Sequence, residues 1–263
     1  MLPKISVITP TLNQASYIEQ TIQSVLTQDY PNLEYIILDG GSTDGTQQIL
    51  AKYDKYLMWK SEPDAGQIDA INKGLRNASG EIVAYLNSDD LYAPGSLLKV
   101  GNFFQQNPEA SILTGKCQNI NQQGKDTRSI ITAYKNFWLS LKCDNLLHIV
   151  NYVSQPATFW QKSLLSEIGY FNPAFRFAMD YDFWLRVIKH HRFVYLDEYL
   201  AKYRIYPTSI TGSNSKNQFL EEYEISAIHS PFLFKNLHRL HAFLSLWSYR
   251  LIFNRKKRIT NDN

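Results

Sequence analysis

The chain has 263 residues, of which 44% are apolar and 14% aromatic, enough to bury one sizeable core in one large α/β domain or two small ones. Its formal net charge of +3 is uneven: residues 235–263 hold seven basic residues and one acidic residue, so the preceding body is net acidic, which argues against nucleic-acid binding. The two cysteines lack zinc-site spacing, no apolar run reaches the roughly 18 residues of a membrane span, and no secretory signal is evident, so we expect a cytoplasmic protein.

Strand and helix patterns alternate through the first half of the chain. Helices of this length between strands imply right-handed crossovers, so we predict an α/β fold with a mainly parallel sheet flanked by helices. The predicted elements, in chain order, are a strand at 5–9, a helix with Ile18, Ile22, Val25 and Leu26, a strand at 35–39, a helix with Ile49, Leu50 and Tyr53, a strand at 57–59, a helix with Ile68, Ile71 and Leu75, and a strand at 81–86.

After Pro94 this alternation weakens. We predict a loop or hairpin at 118–125, a partly exposed helical insertion at 134–150, strands at 157–161, 193–197 and 199–206, and a helix at 179–190. We therefore divide the chain into a catalytic domain at 1–212 and a basic, aromatic, mostly helical C-terminal extension at 213–263.

Ligands of a parallel sheet bind at the carboxyl ends of its strands, which here are residues 9–13, 39–44 and 87–90. Asn87-Ser-Asp89-Asp90 delivers two carboxylates to that edge. Hard cations such as Mg²⁺ or Mn²⁺ prefer such oxygen ligands and share their coordination with substrate phosphates. Taken alone, this motif and the glycine-rich turn after Asp39 are also compatible with helix caps and flexible turns.

Five motifs together make the pattern specific. They are Pro10-Thr-Leu-Asn13, Asp39-Gly-Gly-Ser-Thr-Asp-Gly45, Asp64-Ala-Gly-Gln-Ile-Asp-Ala-Ile-Asn-Lys-Gly74, Leu86-Asn-Ser-Asp-Asp90 and Met179-Asp-Tyr-Asp-Phe-Trp-Leu-Arg186. In this order they resemble glycosyltransferase family 2, which has the GT-A fold, and the resemblance extends from about Ile5 to Thr211.

The resemblance implies an inverting transfer of a sugar from a nucleotide diphosphate, with UDP as the expected carrier, to a hydroxyl of a saccharide or lipid-linked acceptor in surface polysaccharide or glycoconjugate synthesis. Asp89 and Asp90 match the metal and diphosphate motif, with Asp90 expected as the direct ligand, and Asp180 matches the general base. The residues expected to contact the donor are Pro10, Thr11, Asn13, Asp39, Asp64, Gln67, Asn72, Lys73, Asn87 and Asp89, among which Asp39 would hold the base.

Helix geometry supports the choice of Asp180 over Asp182. The two carboxylates lie two positions apart, roughly 200° around a helix, so they cannot both face one site. Asp180 stands at the start of the helix, where a carboxylate is stabilised and can point into a cleft. A carboxylate suffices as the base because deprotonation can lag behind cleavage of the donor bond.

Two departures from the family pattern stand out. Asn87 occupies a position that is often aspartate, and Tyr206 stands where relatives often carry a histidine that completes the metal site. A tyrosine is a poor magnesium ligand at neutral pH, so we expect this replacement to affect the metal affinity or the closure of the C-terminal loop.

Two other classes of protein remain as alternatives. A dinucleotide-dependent oxidoreductase needs Gly-x-Gly-x-x-Gly after its first strand, where this chain has Pro10-Thr-Leu-Asn13. A catalytically impaired nucleotide-sugar-binding protein of the same fold would keep the motifs and lack turnover. The tail, with Phe243, Trp247 and the basic run 255–258, has the composition of a helix lying in an anionic membrane surface or packing on the catalytic domain.

Overall fold

The computed structural model describes residues 1–127 and 129–243. Its strands are β1 (Ile5–Thr11), β2 (Leu33–Asp39), β3 (Met58–Ser61), β4 (Ile82–Tyr85), β5 (Leu91–Tyr92), β6 (Ile112–Ile120), β7 (Thr158–Gln161) and β8 (Phe193–Arg204). Its helices are α1 (Ile18–Leu26), α2 (Thr46–Ala51), α3 (Gln67–Asn77), α4 (Ser96–Gln106), α5 (Ser129–Ser140), α6 (Leu164–Ile168), α7 (Met179–Val187), α8 (Ile210–His229) and α9 (232–243), with 3₁₀ turns at Asp144–His148 and Gln155–Ala157.

All eight strands form one sheet in the order β3-β2-β1-β4-β7-β6-β8-β5. The first half of the sheet, β3-β2-β1-β4, is parallel, as predicted, and so is the pair of β6 with β8. The pairs of β4 with β7, β7 with β6 and β8 with β5 are antiparallel. The sheet is therefore mixed, and its parallel half carries the strand ends that the sequence singled out.

The two faces of the sheet are covered by different helices. Successive side chains of a strand point to opposite faces, so Val7 of β1 joins one core cluster and Ile8 joins the other. The Ile8 cluster contains the apolar faces of α3, α6 and α7, and the Val7 cluster contains those of α1, α2 and α4. Helix α3 lies very close to β1, because a Cβ at Gly74 would come within 2.4 Å of Ile8.

Several elements differ from the sequence-based expectation. The two strands expected at 193–197 and 199–206 are one strand, β8, whose pairing with β6 shifts register around Lys116. The loop or hairpin expected at 118–125 begins within β6, which extends to Ile120, and Ile120 forms an antiparallel bridge with Asp126. The sequence analysis named neither β5, which has only two residues, nor α4, although Leu97, Val100 and Phe104 of α4 recur at a helical spacing.

The C-terminal extension is in contact with the catalytic body. Helix α8 begins at Ile210, so the expected boundary at 212 falls inside it, and it packs along α7. Within residues 1–127 and 129–243, no helix combines the length and apolar character needed to cross a bilayer. The basic run 255–258 and Trp247 lie outside the described residues.

Candidate active site

Strands β1 and β2 bring Thr11 and Asp39 side by side as register partners at their carboxyl ends. Asp39 is buried, and its carboxylate accepts hydrogen bonds from the backbone N–H of Ser42 (3.0 Å), the Ser42 hydroxyl and the Ser61 hydroxyl (2.6 Å). A carboxylate offers about four acceptor positions, so about one is left for a ligand. The Thr11 hydroxyl is buried without a hydrogen-bond partner among the described residues, which leaves a polar atom at this edge for a ligand to satisfy.

The loop after β1 is held against the loop after β2. The side-chain Oδ1 of Asn13 accepts from the backbone N–H of Thr43 (2.9 Å), and the Asn13 N–H donates to the Ser42 hydroxyl (2.7 Å). Asn13 has a φ of 53°, in the left-handed region that asparagine tolerates better than most residues. Pro10 lies within β1, buried in the sheet. Thus three of the expected donor residues, Pro10, Thr11 and Asn13, stand beside Asp39.

A small pocket opens next to Asp39. It is lined by Leu38, Asp39, Lys60, Glu62, Asp64, Ala70 and Lys73. Besides Asp39, two further expected donor residues line it, Asp64 and Lys73. The Lys73 ammonium is half-exposed and pairs with Asp69 (2.9 Å) and Glu62 (3.8 Å), so it is placed beside the pocket by α3 and the end of β3.

Gln67 and Asn87 form a second pair of expected donor residues. The Gln67 amide donates to Asn87 Oδ1 (2.7 Å), and the Asn87 amide donates to Asp90 Oδ2 (3.3 Å). This chain of hydrogen bonds joins the start of α3 to the loop after β4. Asn87, in place of the family's frequent aspartate, serves both as acceptor and as donor in it, which a carboxylate could not do when ionised.

Asn72 is the one expected donor residue that the fold directs elsewhere. Its side chain is buried, its Nδ2 donates to the Phe171 carbonyl (2.8 Å) and its Oδ1 accepts from the Phe171 N–H (3.1 Å). The amide is thereby committed to the main chain of the loop before α7. Asn72 thereby ties α3 to that loop, and its contact with the donor stays a prediction without support from this geometry.

Asp89 and Asp90 differ sharply in exposure. Asp90 is fully buried, and its Oδ1 accepts from the Arg204 backbone N–H (2.8 Å). Asp89 is only partly buried, and its Oδ2 accepts from the Tyr206 hydroxyl (3.0 Å). Burial raises the pKa of both carboxyls, most strongly that of Asp90. Asp89 is thus the more exposed of the two carboxylates and Asp90 is bonded to the main chain of β8, and the expectation that Asp90 is the direct ligand of a cation stays a prediction.

Arg204, the last residue of β8, holds this loop in place and was not predicted as a site residue. Its buried guanidinium donates from Nε to the Asp89 carbonyl (2.8 Å), from Nη1 to the carbonyls of Asn121 and Gln122 (3.2 and 2.9 Å), and from Nη2 to Gln20 Oε1 (2.9 Å). Only the apolar surroundings of the Tyr-Arg-Ile-Tyr segment could have indicated a buried arginine in the sequence.

Tyr206 closes the cation side of the site. Besides the hydrogen bond to Asp89, its ring packs on that of Tyr17 with centroids 5.0 Å apart. Burial, then the Asp89 charge, raises the pKa of the Tyr206 hydroxyl above its ordinary value. The residue that replaces a frequent metal-binding histidine is therefore a neutral hydrogen-bond donor to Asp89.

Asp180 and Asp182 occupy different environments, as the helix geometry predicted. Asp182 is buried and accepts from Arg186 Nε (2.9 Å) and His229 Nε2 (2.8 Å). Asp180 has no ion-pair partner within residues 1–127 and 129–243, and its Oδ1 accepts from its neighbour's N–H, that of Tyr181 (2.8 Å). Asp182 is thus committed to joining α7 to α8, and Asp180 is left available for chemistry.

The charges around Asp180 link it to the cation side. Burial raises the pKa of Asp180 above its ordinary value, and the positive charge of Lys135 on α5 counteracts this. Tyr85, at the end of β4, has its pKa raised by burial and further by the charges of Asp180 and Asp90 among others. Tyr85 therefore lies within electrostatic reach of both Asp180 and Asp90.

Two glutamates of α8 approach the same site, although the sequence assigned this helix to a separate extension. Glu222 is buried, accepts from the Asn151 amide (3.1 Å), and has a pKa raised to about 7 by burial and, more weakly, by the Asp180 charge. The Glu221 carboxylate accepts from three backbone N–H groups of the loop before α7, those of Arg176 (3.0 Å), Phe177 (2.5 Å) and Ala178 (3.0 Å). Helix α7 has no side-chain cap of its own, so Glu221 fixes the start of the helix that carries Asp180.

The relatives of the chain are glycosyltransferases, and it is an enzyme of that class. Residues 6–169 match the family described as Glycosyl transferase family 2. The chain is 31% identical to the putative teichuronic acid biosynthesis glycosyltransferase TuaG of Bacillus subtilis, over 94% of this chain and 93% of TuaG. It is 27% identical to an uncharacterised glycosyltransferase of Rickettsia typhi, over 89% of this chain and 72% of the relative. The chain belongs to glycosyltransferase family 2.

Solved structures share its fold. The mannosyltransferase PcManGT of Pyrobaculum calidifontis, in complex with GDP-Man and Mn²⁺, superposes with a TM-score of 0.69 at 21% identity, over 93% of this chain and 70% of that one. The 1–349 fragment of S. aureus TarS, in complex with UDP-GlcNAc, gives 0.64 at 23% identity, over 84% of this chain and 65% of the fragment. The chain spans 39% of the longer TarS chain. These likenesses confirm the expected GT-A-like α/β fold with its helical C-terminal region.

Proposed function

We propose that the chain is an inverting glycosyltransferase that moves a sugar from a nucleotide diphosphate, UDP in the first instance, to a hydroxyl of a saccharide or lipid-linked acceptor. The observation that carries the proposal is that polar groups follow the carboxyl ends of the adjacent strands β2, β1 and β4, and that the charge of Asp180 on α7 acts on Tyr85 at the end of β4. Asp39 with the unpartnered Thr11 hydroxyl suits a nucleoside, Asp89 suits a cation, and Asp180 is a partly buried carboxylate without an ion-pair partner among the described residues.

The residues on the cation side fit a divalent ion that is shared with the donor. The described residues contain no cluster of three His, Cys, Asp or Glu side chains that could hold a metal by themselves. Mg²⁺ is commonly held by one or two carboxylates together with substrate phosphates, and Mn²⁺ accepts the same oxygen ligands. Asp89, with Asp90 behind it, would hold such an ion, which when bound would offset the charge on the departing diphosphate.

The proposed reaction is a single displacement at the anomeric carbon. The acceptor oxygen forms the new bond to that carbon while the bond to the diphosphate oxygen breaks, and the nucleoside diphosphate leaves with the electron pair. Asp180 accepts the proton of the acceptor hydroxyl, and its raised pKa makes it a better proton acceptor than an exposed aspartate. Lys135, close enough for its charge to act on Asp180, keeps the carboxylate ionised before transfer.

The acceptor class rests on the relatives. TuaG carries teichuronic acid biosynthesis in its name, and 93% of TuaG is covered by this chain. We therefore place the acceptor among the growing chains of a surface polysaccharide or glycoconjugate, free or attached to a lipid carrier.

The test begins with donor binding. UDP-, dTDP- and GDP-sugars are screened for protection of the protein against thermal unfolding with Mn²⁺ present, since a ligand that binds only the folded state raises its melting temperature. We expect a UDP-sugar to protect and to be turned over, and chelation of the cation to abolish turnover. Turnover that continues in excess chelator contradicts the cation role, and protection without any turnover favours the alternative of a nucleotide-sugar-binding protein.

A further inference from the structure

Two neighbouring helical segments expose large apolar side chains to solvent. In the first segment these are Ile130, Tyr134 and Phe137 of α5 and Leu141 just after it. Their spacing of four, three and four residues places them in one stripe. In the second segment, α9, they are Phe232, Leu233, Leu237, Leu240 and Phe243, with exposed fractions from 39% to 82%. We refer to these nine side chains as the apolar face.

The two stripes meet along a shared contact. The Tyr134 hydroxyl and His241 Nε2 are 2.6 Å apart, and the two rings are nearly parallel with centroids separated by 6.2 Å. The inner side of α9 is formed by His238, which bonds the Ile149 carbonyl (2.9 Å), and by the buried Ala242. Phe234 also faces the protein, where its ring stacks on His148, but the other five large apolar residues of α9 are exposed, although the outer face of an ordinary surface helix is polar.

The charges carried by the helical stretches of the apolar face are all positive. Residues 129–143 contain Lys135 and Lys142, and residues 230–243 contain Lys235 and Arg239, with no aspartate or glutamate in either stretch, although the chain has 24 acidic residues. The sequence continues this pattern, because residues 244–261 add five basic residues and no acidic one. An apolar surface whose own helical stretches carry only cations complements an anionic lipid surface, where apolar burial and attraction to headgroups act together; an acidic neighbour, Asp197, lies within reach of the Lys142 charge.

We propose that the apolar face docks the enzyme on an anionic lipid bilayer. Contiguous exposed apolar patches on a protein surface mark interaction sites. The positive charges of these helices favour an anionic lipid surface over a second copy of the same face, because two such faces would repel each other. Helix α5 also carries Lys135, whose charge acts on Asp180. Helix α9 also contacts α7 directly, because the His238 ring stacks on that of Tyr181, the neighbour of Asp180, with centroids 5.5 Å apart. The docked face therefore lies on helices that pack around the proposed base, so, given the proposed function, acceptors attached to lipid reach the site from that side.

The experiment is flotation of the full-length protein with vesicles, without nucleotide or acceptor, so that failure of the proposed transfer reaction leaves the result unaffected. Vesicles of phosphatidylcholine with about 30% phosphatidylglycerol are compared with pure phosphatidylcholine, at about 50 mM and about 500 mM NaCl. We expect binding to the anionic vesicles at low salt, loss of that binding at high salt, and none to neutral vesicles. Absence of binding to anionic vesicles at low salt overturns the proposal.

Variants then assign the binding to this surface. Replacing Phe137, Leu233 and Leu240 by serine should lower the partition coefficient about tenfold or more, since each buried apolar side chain contributes to docking. Because this variant keeps residues 244–263, its loss of binding cannot be attributed to the basic tail. The matched control replaces Tyr56 and Met58, also exposed but near the edge strand β3, by serine, and should bind within about twofold of the wild type.

Two further results keep the test decisive. The serine positions are all exposed, so the melting temperature of these variants should stay close to that of the wild type. A charge-reversal pair, Lys235→Glu with Arg239→Glu, should weaken anionic binding without removing apolar side chains; Lys235 is half-buried over the Tyr223 ring, so the melting temperature of this pair is measured as well. Equal binding by the triple-serine variant and the wild type overturns the proposal. So does a wild-type dimer that the triple-serine variant converts to monomer while neither binds vesicles, since the face then joins two copies.

Discussion

Replacement of Glu221 by alanine tests whether α8 positions the helix that carries Asp180. The Glu221 carboxylate accepts from the N–H groups of Arg176, Phe177 and Ala178. Hydrogen bonds to a charged group contribute about 1.5–3 kcal/mol each, but these lie near the surface, where water replaces part of the loss. Counting about 1 kcal/mol for each gives a decrease of about 3 kcal/mol in the free energy of unfolding. For a chain of this size that corresponds to a melting temperature lower by about 6–12 °C.

The assay combines urea unfolding with transfer kinetics. Glu221→Gln keeps one acceptor oxygen and should lose about half as much stability as Glu221→Ala, with correspondingly partial recovery of kcat. Glu224→Ala, on the same helix and exposed, is the matched control and should stay within about 0.5 kcal/mol of the wild type. If Glu221→Ala unfolds like the control and keeps its kcat, the three hydrogen bonds do not order the start of α7, and our account of how α8 supports the base is wrong.

Three further predictions concern individual side chains. Asp180→Asn should lower kcat by about 10²–10⁴ with donor affinity nearly unchanged. Asp182→Asn, which breaks a buried ion pair, should lower the free energy of unfolding by about 3 kcal/mol and leave much more activity. The reverse pattern would refute the assignment of Asp180 as the base. The Glu222 carboxyl has a pKa of about 7 in the folded protein, against about 4.5 in the unfolded chain. Its contribution to the free energy of unfolding is therefore fully present below about pH 4.5 and declines as the pH rises to about 7, and above that pH the free energy of unfolding is lower by about 3 kcal/mol. Glu222→Gln should remove this decline, measured by urea unfolding at about pH 5 and about pH 8. Tyr206→His should lower the Mn²⁺ concentration that gives half-maximal transfer, since imidazole suits this cation better than a neutral phenol, and an unchanged or raised requirement would separate Tyr206 from the cation.

Local patterns in the sequence carried the prediction of the parallel half of the sheet. Each buried strand there ends in polar residues, so Asp39 and Asp89 could be assigned to one edge without knowledge of contacts. The choice of Asp180 over Asp182 needed only the rotation per residue of a helix, and the environments found for the two agree with it. That Asp180 acts as the base stays a prediction.

The sequence does not indicate the role of a side chain whose hydrogen-bond partner is distant along the chain. Asn72 reads as a surface residue of a motif, but it bonds Phe171, 99 residues further along the chain. Arg204 bonds the loop of Asp89, 115 residues earlier, and Glu221 bonds a loop 43 to 45 residues earlier. Neither periodicity nor spacing contains such pairings, because they arise only when the sheet and α8 are assembled. The same reason explains why the extension at 213–263 was separated from a site to which two of its glutamates contribute.

The contacts of Arg204 bear on how this fold can diversify. Its guanidinium meets the hairpin after β6 only at the carbonyls of Asn121 and Gln122, and meets the loop of Asp89 at a carbonyl as well. A carbonyl group is present whatever side chain Gln122 bears, whereas the Asn121 side chain also accepts from the N–H groups of Gln123 and Lys125 (3.0 and 2.9 Å) and so shapes the turn. A lineage can therefore vary Gln122, and a protein engineer can graft a new side chain there, while Asn121 keeps the turn and the loop of Asp89 stays clamped.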